Sequence, residues 1–167
     1  MVYEFHQDDP RKCTSAKLRK FHLVTKLRRI RDIPAKSIVL NPNSSQTLSR
    51  NDHQKIEHHG LVALDCSWKL SDNVFNHPIQ GENRRLPTLL AGNPTNYSIP
   101  EKLSTVEALA AALYITGFTN EAGKILSIFK WGNTFLSLNK EVLDTYSETV
   151  AENLPESERE YFGPKQG

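Results

Sequence analysis

Two apolar runs separated by a capped polar stretch constrain this chain more than any other feature. Residues 36–40 (KSIVL) and 61–66 (LVALDC) have little polar alternation, the pattern of strands buried on both faces. Between them Asn41-Pro42-Asn43 stops the first run and residues 44–50 are polar. Asn51 is placed to cap a helix predicted over 52–59, and Gly60 to close it. Strand, helix and strand at this spacing give parallel strands joined by a crossover, hence an α/β fold. Further strands are predicted at 2–6 (VYEFH), at 23–30 (LVTKLRRI) and within 84–90 (RRLPTLL), and a short helix from Thr14 or Ser15 to about His22. In such sheets ligands lie beyond the carboxyl ends of the strands. A site is therefore expected at Asn41-Pro42, at residues 65–68 and after Arg84.

Beyond residue 100 the pattern changes. Ser104-Thr105-Val106-Glu107 is a capping box, with Ser104 as N-cap and Glu107 at the third helical position. The helix that follows, residues 108–116 (ALAAALYIT), is apolar nearly all round and is expected to be buried. Helices are predicted at 120–130, 134–138 and 140–153, and Pro155 suits the first turn of a last one. No strand pattern occurs there. The chain is read as an N-terminal α/β domain (1–90) followed by an all-helical C-terminal domain (91–167).

A chain of 167 residues buries enough surface to fold without a disulfide or a metal. Cys13 and Cys66 are accordingly expected as reduced thiols. No apolar run has the length of a membrane span, and the N-terminus has no signal-peptide pattern, so a cytoplasmic home is expected. There is no glycine-rich phosphate loop and no nucleophile elbow. His58 and His59 are adjacent, do not share a helix face and have no carboxylate at ligand spacing, so no metal is expected.

Charge is unevenly spread. Residues 1–36 hold ten Lys/Arg and four Asp/Glu, whereas residues 37–167 hold eleven and fifteen. A basic front on a nearly neutral protein points to a polyanion. The residues expected to face it are Arg11, Lys12, Lys17, Arg19 and Lys20, with Arg28 and Arg29 beside them and Lys55 and Lys124 extending the face. Asp65 closes a wholly apolar strand, and a carboxylate in that position needs a partner or a task. It is either a helix cap or a working group. Trp68 is either core or a stacking surface for a flat ligand.

Four stretches taken together resemble a known family. They are residues 9–17 (DPRKCTSAK); 39–42 with Leu48-Ser49 (VLNP…LS); 64–68 (LDCSW); and 84–118 followed by 129–135 (FKWGNTF), with RLP, AGNPTNY and KLS inside the long block. In these the chain resembles the small-subunit ribosomal RNA aminocarboxypropyltransferases of archaea and the eukaryotic cytoplasm, over about residues 5–146. The resemblance implies an α/β domain and a helical domain threaded into a deep trefoil knot, as in the SPOUT-like RNA methyltransferases. It implies transfer of the 3-amino-3-carboxypropyl group of S-adenosylmethionine to N3 of a uridine or (methyl)pseudouridine in rRNA. It implies methylthioadenosine as the by-product.

Residue by residue, the resemblance implies that Leu40, Pro42 and Trp68 surround the adenine or the sulfonium, that Leu64 offers backbone groups to the ribose, and that Thr14 holds the amino-acid arm. Leu86, Leu103, Ala108 and Ala112 line the second-domain side, with Glu101 and Thr105 at further cofactor positions. Glu101 stands where the family often has an aromatic, so its contact would be through the backbone. Gly92 replaces a more usual alanine and is harmless unless it loosens the loop. Asp65 is the candidate catalytic residue, accepting or orienting the proton of the acceptor base. A non-catalytic ribosome-assembly factor and an RNA methyltransferase are the alternatives. A monomer is expected.

Overall fold

The structure, a computed structural model, describes residues 1–5, 13–67 and 71–164. Arg11, Lys12 and Trp68 lie outside the described residues. Four parallel strands form one sheet: β1 (Val2–Glu4), β2 (Ile38–Leu40), β3 (Leu61–Asp65) and β4 (Glu82–Arg84), in the order β1-β3-β2-β4. The two apolar runs are the central pair, with Val39 opposite Val62. Every residue of β2 and the first four of β3 are buried. The crossovers carry α1 (Thr14–Lys20), α2 (His53–His59) and the one-turn α3 (Ser71–Phe75).

By contact the chain divides into two compact units. The first comprises Met1–Gln46 and Gln54–Arg85, the second Thr47–His53 and Leu86–Gly167. The first has a core of Leu27, Ile33, Val39, Val62, Leu64, Val74, Phe75 and Ile79, flanked by Met1, Tyr3, Phe5 and Cys66. The second is built on α4 (Thr105–Ile115), α5 (Thr119–Ser127), α6 (Gly132–Glu148) and α7 (Leu154–Phe162). As its composition predicts, α4 is buried, and it packs on both α5 and α6. His53, from the early segment of this unit, stacks on Phe118 with ring centroids 4.5 Å apart, and its Nδ1–H donates to the Thr116 carbonyl at the end of α4. Among the described residues no helix is long and apolar enough to cross a membrane.

Four sequence expectations are corrected. Residues 23–30 form no ladder strand: Lys26 makes one isolated bridge to Val2, and a 3₁₀ turn, Ile30–Asp32, follows. Of that run only Leu27 is buried, so the charged flanks outweigh its β propensity. The last strand comes earlier than predicted, at Glu82–Arg84, and the chain beyond it is bonded by other means. The cap before α2 is Ser49, not Asn51: its Oγ accepts from the Asn51 N–H, and the Asp52 carboxylate takes the Ser49 N–H in return. Finally, 134–138 and 140–153 are not separate helices, because α6 runs unbroken through Asn139.

The start of α6 tolerates no side chain. A Cβ on Gly132 would lie 2.1 Å from the Leu126 carbonyl oxygen, which is backbone and cannot swing aside. Gly132→Ala is expected to destabilise the protein by at least about 1–3 kcal/mol through this overlap, measurable as a lower midpoint in urea.

Candidate active site

The carboxyl ends of β1 and β3 bring two carboxylates side by side, with Glu4 in register with Asp65. Glu4 is buried because it shares a strand face with Val2, and α1 presents Ser15 and Leu18 as buried residues. The Ser15 Oγ lies 3.0 Å from Glu4 Oε1 and 2.6 Å from Asp65 Oδ2. The Cys13 thiol, at the N-cap of α1, is 3.0 Å from the same Asp65 oxygen and 2.9 Å from Ser15 Oγ. On the far side of Glu4, Arg19 at 2.8 Å and Lys26 at 3.0 Å both reach Oε2. Asp65 is thus tied to the first turn of α1 rather than left at a bare strand end.

The titration of the cluster follows from these partners. Burial raises the Glu4 carboxyl, but the hydrogen bonds from Lys26 and Ser15 and the charges of Arg19 and Lys26 outweigh it and hold it below 4.5. Burial pushes the Cys13 thiol up, and Asp65 adds to this. Because the folded value for Glu4 is depressed, its stabilising contribution is full above its unfolded value. The contribution is lost as pH falls through the folded value. The stability advantage of wild type over Glu4→Gln should therefore be complete at neutral pH and fade below pH 4.5, as followed by urea unfolding across pH.

The other first-unit candidates lie at the same end of the sheet. Leu40 and Leu64 are buried near the ends of β2 and β3, Thr14 opens α1 half-buried, and Pro42 is exposed just past β2. The turn after β2 is fixed by Asn41, whose Oδ1 accepts from the Asn43 N–H and whose Nδ2 donates to Asn83 Oδ1 beyond β4's first residue.

The second unit positions its candidates differently. Residues 86–104 form no ladder strand, only an isolated bridge between Leu90 and Pro100, so their backbone groups need other partners. Helix side chains supply many of them. Glu158 accepts from the Thr88 N–H at 2.8 Å, and the Tyr146 hydroxyl donates to the Thr88 carbonyl. Asn139 imitates a strand neighbour, accepting from the Leu90 N–H and donating to the Leu90 carbonyl, both at 2.8 Å.

Glu107 goes further. Fully buried, its carboxylate accepts from the N–H groups of Gly92, Asn93 and Ser104 and from Asn93 Nδ2, at 2.7–2.9 Å. Gly92 lies so close to α6 that a Cβ would stand 2.6 Å from the Phe135 N and Cα. The glycine fits a tight approach rather than a loose loop.

On this frame Leu103 is buried, Leu86 is half-buried and Thr105 is the first residue of α4. Ala108 and Ala112 share one face of that helix, four residues apart. Glu101 is exposed with φ of 62°, and its carboxylate accepts from the Thr88 hydroxyl at 3.1 Å.

Arg19 is paired with Glu4 and Lys55 with Glu82, so both have structural partners. Arg29 pairs with Asp32, and Arg28 is exposed. Lys17 and Lys20 are exposed on α1, and Lys124 is exposed on α5 in the second unit.

Residues 38–162 match the family described as "Ribosome biogenesis protein, C-terminal". The 16S rRNA aminocarboxypropyltransferase of Methanosphaera stadtmanae is 42% identical over 99% of this chain and 98% of its own. That of Sulfurisphaera tokodaii is 43% identical over 95% and 92%. The chain belongs to the 16S rRNA aminocarboxypropyltransferase family. A solved member described as the SAM-dependent rRNA:acp-transferase Tsr3, from Vulcanisaeta distributa, superposes with a TM-score of 0.90 at 41% identity, covering 98% of this chain and 88% of that one.

Residues 1–29 also match a "possible Fer4-like domain in RNase L inhibitor". An iron–sulfur centre takes four thiolates, and this stretch has only Cys13. In this member of the transferase family, sequence reasoning missed Glu4, Ser15 and Cys13 as partners of Asp65. It also missed Asn139, Tyr146 and Glu158 as supports of residues 88–90. The available signal for Glu4 was a carboxylate on the buried face of an apolar strand.

Proposed function

We propose that this chain transfers the 3-amino-3-carboxypropyl group of S-adenosylmethionine to N3 of a uridine or (methyl)pseudouridine in small-subunit rRNA during ribosome maturation. What carries the reading is identity of 42–43% to named aminocarboxypropyltransferases across almost the full length of both chains. On this reading it works as a cytoplasmic monomer on pre-ribosomal particles. The family's trefoil knot belongs to the same proposal, and the grouping of Thr47–His53 with the later residues, while 54–85 return to the first unit, supports it.

The donor set suits S-adenosylmethionine in character. Leu40, Leu64, Leu86 and Leu103 offer apolar side chains, Ala108 and the fully buried Ala112 keep one face of α4 small, and Thr14 offers a hydroxyl at the start of α1. These residues, with Pro42, Trp68, Glu101 and Thr105, are the ones proposed to hold it. When bound, the sulfonium supplies an electrophilic γ-carbon and a sulfur that takes the C–S electron pair as methylthioadenosine leaves. The protein must select that carbon over the methyl group by orientation, and alignment of this kind can contribute up to about 7–11 kcal/mol. Asp65 is proposed to accept the N3 proton, so that the N–H electron pair is available for the new N–C bond.

The test is a parallel incubation of the protein and small ribosomal subunits from a strain lacking the modification with two labelled donors. Label in the aminocarboxypropyl arm should enter RNA and label in the methyl group should leave as methylthioadenosine. Methyl label in RNA would overturn the proposal. RNA is proposed to meet Lys17 and Lys20, and Arg11, Lys12, Arg28 and Lys124 are the further residues proposed for it. Reversing Lys17 and Lys20 to Glu should weaken RNA binding about tenfold or more at low salt and flatten its salt dependence, with S-adenosylmethionine affinity unchanged in calorimetry.

A further inference from the structure

Ser15 has one hydroxyl hydrogen and faces two carboxylates. Its Oγ is 2.6 Å from Asp65 Oδ2 and 3.0 Å from Glu4 Oε1, and only one of these can receive the hydrogen at a time. The residue is fully buried, so water does not substitute for it. Arg19, from α1, and Lys26 engage the other Glu4 oxygen and keep that carboxylate ionised, a standing competitor for the hydrogen. Among the described residues the Cys13 thiol also reaches this cluster, at 3.0 Å from Asp65 Oδ2. A second carboxylate aimed at the same hydroxyl is more than is needed to anchor α1.

We propose that Ser15 is a positioning residue for Asp65, a hydroxyl that turns between Asp65 and Glu4 according to whether Asp65 holds a proton. This rests on the proposed role of Asp65 as proton acceptor. As an anion, Asp65 takes the Ser15 hydrogen at a distance typical of a charge-assisted O–H···O bond. When the N3–H bond of the acceptor base breaks and an O–H bond forms on Asp65, the demand for that hydrogen falls. The hydroxyl then turns to Glu4. The proton stays on Asp65, the nitrogen keeps the electron pair for the N–C bond, and no heavy atom of the cluster has to move. Glu4 thus gives the hydroxyl an ionised acceptor when Asp65 is neutral, a stronger partner than the Cys13 sulfur at 2.9 Å.

The experiment is the pH dependence of label transfer from S-adenosylmethionine to small ribosomal subunits lacking the modification. It is run for wild type, Ser15→Ala, Glu4→Gln and Asp65→Asn. Ser15→Ala removes a donor to the Asp65 anion, so the acid limb of kcat should move up by about one pH unit. The turnover at neutral pH should fall about tenfold, with KM for S-adenosylmethionine within twofold. Glu4→Gln removes the competitor and a neighbouring negative charge, so its acid limb should move down. Opposite displacements are not produced by general damage to the fold, and Glu4→Gln keeps the inference testable if Ser15→Ala does not fold. Asp65→Asn should lose the limb altogether. Full turnover in Asp65→Asn would overturn the base role and this inference with it. An inactive Asp65→Asn with wild-type limbs in both other variants would overturn the inference alone.

Discussion

Glu107→Ala is expected to lower the stability of this protein by about 4 kcal/mol, more than any other single side-chain truncation proposed for it. The carboxylate is fully buried and receives four donors, three of them backbone N–H groups. Each buried donor left without a partner costs about 1–3 kcal/mol, partly relieved where water enters the new space. For a chain of this size the change corresponds to a fall of roughly 8–16 °C in Tm, measurable by circular dichroism. Glu107→Gln should do nearly as badly despite its shape, since its amide nitrogen would face donors. A Glu107→Gln protein within about 2 °C of wild type would show that the loop at Gly92 and Asn93 is held by something other than this carboxylate.

Asp65→Asn is expected to cut kcat by about a hundredfold or more, within the range for loss of a general base. Asparagine keeps an oxygen that can accept from Ser15, so the fold and S-adenosylmethionine binding should be kept. Calorimetry with the variant should give an affinity within twofold of wild type, and label transfer should be nearly absent. Near-normal turnover with intact cofactor binding would reduce Asp65 to a structural tie between β3 and α1. The geometry makes this a real contest, because Ser15 and Cys13 already engage its Oδ2.

Much of the fold was legible because its signals are local. Val39 and Val62 sit in apolar runs that only a buried parallel pair accommodates, and Ser104 with Glu107 announced the start of α4 within four residues. Locality also explains the errors. The run containing Lys26 and Leu27 has strand propensity, but a single bridge to Val2 is all the edge of β1 offers it. Asn139 looked like an interruption between two helices because asparagine is a weak helix former. Its reason for being there is Leu90, 49 residues away, and no window along α6 contains that partner.

The site was legible as a set of strand ends, since Asp65 closes an apolar run. Its supporting cluster was not, because Ser15 is 50 residues from Asp65 and nothing in a helix start reveals which carboxylates it will meet. The resemblance supplied the chemistry. The partners of the named residues come from the fold, in which Arg19 and Lys55 are already paired.

The placement of Thr47–His53 with the later half of the chain has a consequence for how the protein is made. Thr116, the partner of His53, follows it out of the ribosome 63 residues later, a wait of about 3–13 s at ordinary elongation rates. Until then that stretch cannot reach its final surroundings, although β2 before it and β3 after it can already begin to pair. A fragment starting at Leu86 would lack His53, and one ending at Arg85 would carry it without its partners Thr116 and Phe118. Neither half is a suitable unit for separate expression, and a split version of this protein should recover only if both pieces are present during folding.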